Sequence, residues 1–134
     1  MDPPEMIRPL LQITLPALVA LQFAAAPFQD PVTDMGKALG SGNIQTITNL
    51  MGPTLSLFVD GQAGSFSRGQ VETRLGSFFR AHPPVSFTLL HRGGGDSQYA
   101  IGTLVTRSGT FRVTFFLHRN GPSLQLEELK FQGA

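Results

Sequence analysis

A chain of 134 residues, 41% of them hydrophobic, is long enough for one packed domain and too apolar for wholesale disorder. Charged residues make up only 14%, the formal net charge is +1, and the basic residues are scattered, so no patch is built for a nucleic-acid backbone. Cysteine is absent, which excludes a disulfide scaffold and a thiolate metal site.

The first segment reads as an address. Ile7-Arg8 precedes an apolar run from Leu10 to Phe23, and Ala24-Ala25-Ala26 follows. Short basic region, apolar region and small-x-small site are the parts of an export signal. The run is about 14 residues, short of the roughly 20 that span a bilayer as a helix. Pro9 and Pro16 argue against an N-terminal core helix. Residues 1–26 are therefore expected to be a signal peptide and 27–134 a single domain. The expected location is the periplasm or the extracellular space, with no stable membrane span after processing. Asp2 and Glu5 are acidic where a signal prefers basic residues, and Met6 offers a cleaner start. Pro27 disfavours cleavage directly after Ala26. The start and the cut site stay open.

Asp30-Pro31 opens a helix, since Asp caps and Pro suits the first turn. Val32, Met35 and Leu39 recur at helical spacing, and Gly40-Ser41-Gly42 stops them. Asn43 caps a second helix with Ile44, Ile47, Leu50 and Met51 on one face, which Gly52-Pro53 ends. Thr54 to Val59 is strand-like, and Asp60-Gly61 is a turn. Ser65-Phe66-Ser67 leads into a third helix with Val71, Leu75, Phe78 and Phe79 as its apolar stripe. Arg68 and Glu72 stand at pairing distance on it. His82-Pro83-Pro84 stops that helix.

Val85 to Arg92 is the next strand, and Gly93-Gly94-Gly95-Asp96 turns the chain. Gln98 to Leu117 reads as two long strands joined at Arg107-Ser108-Gly109. Asn120-Gly121 signals another turn, made irregular by Pro122, before a last strand from Leu124 to Phe131. Helices early and antiparallel strands late predict an α+β fold, a curved meander whose concave face the helices cover. Phe111, Val113, Phe115 and Leu117 alternate on one face and are the expected shared core. Burying four such side chains contributes about 6–12 kcal/mol before chain entropy is subtracted.

This order of elements resembles the nuclear transport factor 2-like fold, also called the cystatin-like cone. Shorter blocks resemble one family within it. They are Ser65-Phe66-Ser67, Phe78-Phe79-Arg80-Ala81-His82-Pro83-Pro84, Ser86-Phe87, Gln98-Tyr99-Ala100-Ile101-Gly102-Thr103-Leu104, Gly109-Thr110-Phe111-Arg112-Val113 and Glu128-Leu129. That family is a group of small exported bacterial proteins known only as a domain of unknown function. The resemblance spans residues 32 to 131. It implies the cone and supports export, but carries no activity. The fold commonly encloses a cavity between sheet and helices, and sheet-to-sheet dimers are common in it.

Chemistry needs polar groups converging on such a cavity. His82, at a helix C-terminus, reads as a cap suited to the dipole. His91 shares its predicted strand face with Val85, Phe87 and Leu89 and could point into the pocket as a general base. The bland alternative is a strand-end histidine bonded to backbone. His118 reads as exposed. No histidine or carboxylate spacing suggests a metal site, and no cofactor is expected. Arg112 and Glu128 fall on adjacent predicted strands and could form a cross-strand ion pair. Outside the cone that pair is surface decoration; inside, Arg112 would orient a polar or anionic ligand. Tyr99, the only tyrosine, could add a hydroxyl or simply pack as an edge aromatic near Phe116.

The candidate ligand residues are thus His91, Tyr99, Arg112 and Glu128. The leading expectation is a non-enzymatic exported domain that binds a small molecule or protein in the cell envelope, with a homodimer through the sheet. The alternative is an isomerase- or hydrolase-type enzyme with acid–base groups inside the cone. A third reading is a cone filled by Phe and Leu, with no cavity at all.

Overall fold

The computed structural model describes residues 30–134. The expected signal peptide, residues 1–26, lies outside them. Three helices and six strands follow in the order α1 (Pro31–Ser41), α2 (Ile44–Leu50), β1 (Met51–Val59), β2 (Gln62–Ser67), α3 (Arg68–Ala81), β3 (Pro84–Gly94), β4 (Ser97–Thr106), β5 (Gly109–Asn120) and β6 (Ser123–Gly133). No helix among the described residues is long and apolar enough to cross a membrane.

The strands form one curved sheet in the order β2-β1-β6-β5-β4-β3. β3 to β6 make the expected antiparallel meander. β1 then lies beside β6 in parallel, so the sheet is mixed at one seam. A further strand, β2, stands where the sequence predicts only a helix lead-in: Ser65-Phe66-Ser67 ends it, and it pairs back on β1. Asp60 and Gly61 both have positive φ, 54° and 74°, as a two-residue turn between right-twisted strands requires. α2 stops at Leu50, one residue before the expected end: Met51, placed on its apolar face, opens β1, and Gly52-Pro53 lie within that strand rather than in a break. The register against β6 is irregular between Met51 and Ser56, where Pro53 has no N–H to give to a ladder.

Caps work largely as read. Asp30 accepts from the Val32 backbone N–H at 3.1 Å, and Asn43 from that of Thr46 at 3.2 Å. The Gln70 side chain accepts from the Ser67 N–H at 3.0 Å. Arg68 does not pair with Glu72. Its guanidinium donates instead to the Thr48 carbonyl at 2.9 Å and to Asn49 Oδ1 at 3.2 Å, tying α3 to the C-terminal end of α2.

The concave face holds the core. Val113, Phe115 and Leu117 are fully buried, and Phe111 packs against them half-buried. Met35, Leu39 and Ile47 from α1 and α2, and Leu75 and Phe78 from α3, close over them. Phe78 sits amid Phe79, Phe111 and Phe131, with ring centroids 4.7–5.5 Å apart. The two buried polar residues, Thr48 and Thr106, bond to nearby carbonyls, and no buried side-chain polar atom is left unsatisfied among the described residues.

Candidate functional site

β3 decides where the predicted site residues point. It carries two one-residue bulges: Pro84 pairs with Thr106 and Ser86 with Val105, then Leu89 pairs with Gly102 and His91 with Ile101. Each extra residue reverses the alternation of faces. Phe87 and Leu89 therefore face the helices, while His91 turns to the outer face of the sheet and Arg92 to the inner one. The shared face expected for Val85, Phe87, Leu89 and His91 does not exist.

On the outer face His91 meets Tyr99, with its Nε2 2.7 Å from the phenolic oxygen. Tyr99 stands beside Phe116 across the β4–β5 pair, and Phe116 beside Glu128 across β5–β6. The ring centroids of His91 and Tyr99 are 5.5 Å apart, those of Tyr99 and Phe116 6.3 Å. Three of the four predicted residues thus share one row, outside the cone. Arg112 does not join them. It pairs in register with Thr103 and Gln132, four residues along β5 from the Phe116–Glu128 pair. That is about 13 Å at strand rise, so the expected Arg112–Glu128 ion pair does not form within the chain.

The other histidines take structural places. His82 caps α3 and lies against Phe78 and Phe111, each with ring centroids 4.9 Å away. The Ser108 hydroxyl donates to the Ala81 carbonyl at 2.8 Å, so its oxygen accepts from His82 Nδ1 at 2.6 Å. His118 is exposed, with Nδ1 2.7 Å from Ser97 Oγ. No group of histidines and carboxylates suited to a metal occurs among the described residues.

Among the described residues, buried side chains such as Phe78, Leu104, Phe115 and Leu117 occupy the cone, and a cleft opens at its mouth. A cleft of about 620 Å³ is lined by residues from both helical and sheet layers, including Asp30, Asp34, Arg92 and Arg119. Arg92 reaches across to Asp30 through two bonds, 2.8 and 3.2 Å. The Arg92 guanidinium, and then the Thr33 hydroxyl, hold the Asp30 carboxyl well below the usual carboxylate range. The same bond raises Arg92. The Arg119 backbone N–H donates to the Asp96 carbonyl at 2.8 Å, while its guanidinium makes one 3.3 Å contact, through Nε, with the Asp96 carboxylate. Sequence reasoning saw Asp30 only as a cap and placed no role on Arg92 or Arg119. Strand parity could have found Arg92 only with the Leu90 bulge known.

A curved sheet wrapped on three helices, filled within and open at one end, defines a nuclear transport factor 2-like domain. A Streptomyces avermitilis structure from that family aligns with a TM-score of 0.59 at 17% identity, over 78% of this chain and 91% of that one. The model of one family, Domain of unknown function (DUF4783), matches residues 32–132, and the chain belongs to that family. A DUF4783 protein from Bacteroides uniformis aligns at a TM-score of 0.72 and 24% identity, covering 76% of this chain and 95% of that one. One from Bacteroides fragilis aligns at 0.71 and 27%, covering 75% and 96%. No curated protein matches the chain.

Proposed function

We propose that this is a non-enzymatic binding domain, exported to the cell envelope, that docks a protein on the outer face of its sheet. The observation that carries the reading is the row of His91, Tyr99 and Phe116, an aromatic strip left on the surface while the cone interior is filled. Phe116 is 39% exposed in the middle of a long strand. Tyr and Phe on a surface give large contact area at low entropic cost. The enzymatic alternative needs an acid or base inside the cone. His91 and Glu128, its two candidates, lie outside, and the buried polar residues described are threonines.

A second copy of the chain fits this face. Two outer faces brought together about an axis across the strands at Thr114 place Arg112 of one copy over the Phe116–Glu128 row of the other. The charges that stand about 13 Å apart within a chain then meet between chains. Aligned sheet packing leaves room for this at about 10 Å between sheets.

Sedimentation velocity on the purified chain tests the reading. Dimers are expected, dissociated by Arg112→Glu and restored when Glu128→Arg is added. A monomer at high micromolar concentration removes self-docking, and a Phe116→Asp variant that captures envelope proteins as well as wild type removes the outer face altogether. N-terminal sequencing of the protein from cells tests export: a cytoplasmic chain that retains residues 10–23 overturns it.

A further inference from the structure

We infer that the cleft at the mouth of the cone is a binding site for a small zwitterion, an amino acid or short peptide with an apolar side chain. It is independent of the outer face. At about 620 Å³ the cleft falls within the usual range of small-molecule sites. Its lining brings together the start of α1, the end of α2, and the mouth ends of β3 to β6. Position there is fixed by the Asp30–Arg92 pair, which neutralises itself and braces one wall.

What remains is one cation and one anion. The Arg119 guanidinium is held only through Nε, at 3.3 Å, by the carboxylate of Asp96, whose side chain is 85% exposed. An ion pair that open is worth little, so a ligand carboxylate can take the guanidinium fork from it. Asp34 stands one helical turn beyond Asp30 and lines the same cleft, and no ion pair engages it among the described residues. A ligand ammonium suits it. Leu50 and Leu124 add apolar surface for a side chain to that lining. With Asp30 and Arg92 paired, Asp34 and Arg119 leave the wall without net charge, which suits a zwitterion better than a phosphate or other polyanion.

The test is amide chemical-shift mapping of the purified full chain with L-leucine and leucyl-leucine, beside 4-methylpentanoate and 3-methylbutylamine as single-charge analogues. Leucine or its dipeptide is expected to shift the amides of Asp34 and Ser123. Each analogue is expected to bind roughly tenfold more weakly, the scale of one charge-assisted bond. Arg119→Met should weaken leucine binding by a similar factor, read from a titration of the same shifts, with the remaining spectrum unchanged, and Asp96→Asn should strengthen binding by removing the competing charge. The inference fails if no probe shifts the cleft amides, if Arg119→Met binds leucine as wild type does, or if 4-methylpentanoate equals leucine. A variant that loses its dispersed spectrum is replaced by Arg119→Lys, which keeps the charge and should weaken binding without abolishing it.

Discussion

Gly102 is the residue on which the approach of α1 to the sheet depends. The Phe87 ring lies over it, and on the other side Gly36 and Gly40 of α1 close on the same residue, Gly40 to within 3.1 Å of the Phe87 backbone nitrogen for an added Cβ. A methyl at Gly102 would collide with that ring and stand 2.6 Å from the Thr88 carbonyl oxygen, which is backbone and cannot swing aside. Gly102→Ala is therefore expected to destabilise by about 1–3 kcal/mol, read from urea unfolding. Asp30 has two roles that one substitution separates. Asp30→Asn retains a capping oxygen and loses the charge that Arg92 holds. Because the folded carboxyl lies below its unfolded value, the ion pair stabilises fully above about pH 4 and is withdrawn as pH falls from there toward the folded value. Wild type should exceed Asp30→Asn by up to about 1 kcal/mol at neutral pH, the pair being part-exposed, and the gap should close in acid. Urea titrations from pH 7 to pH 3 check this; a gap that widens in acid refutes the assignment.

Elements with strong periodicity or strong stops were legible in the chain: all three helices, and the long hairpin of β4 and β5. β2 was not, because Gln62 to Ser67 is polar and carries a glycine, and only its partners hold it as a strand. Those partners include α3. Arg74 lies over the Phe66 ring with its guanidinium carbon 4.1 Å from the centroid, and donates to Gln62 at 3.0 Å. Arg74→Ala should cost about 0.5–1 kcal/mol and accelerate hydrogen exchange in β2 more than in β4 or β5. Equal acceleration everywhere would mean that β2 is held by the sheet alone. The same limit explains the candidate site. His91, Tyr99 and Glu128 were recognised as residues, but a bulge at Leu90 and the four-residue offset of Arg112 from Glu128 depend on pairing register. A single bulged residue reverses every inward assignment beyond it, and composition carries no mark of it.

For the whole molecule, the question is whether the cone is a container or a solid. Its contents answer at opposite ends. Toward the mouth, Arg92 and Arg119 keep a polar opening; toward the other end Phe78, Phe111 and Phe131 crowd together. Phe78 is buried, and its ring lies in edge or tilted contact with each of four neighbouring rings, including that of His82. If the cone is packed as a solid, Phe78→Ala leaves a void that these rigid rings cannot collapse into, and the loss should be about 3–5 kcal/mol. Against a typical total of about 5–15 kcal/mol that is enough to threaten the fold, so Phe78→Leu, expected to lose less, keeps the comparison measurable by urea unfolding. The void made by Phe78→Ala would be apolar and dry, and an apolar solute such as benzene should restore part of the lost stability. A loss under about 1 kcal/mol would show a loose interior that already relaxes around a missing ring, and would return the centre of the cone to consideration as a ligand chamber.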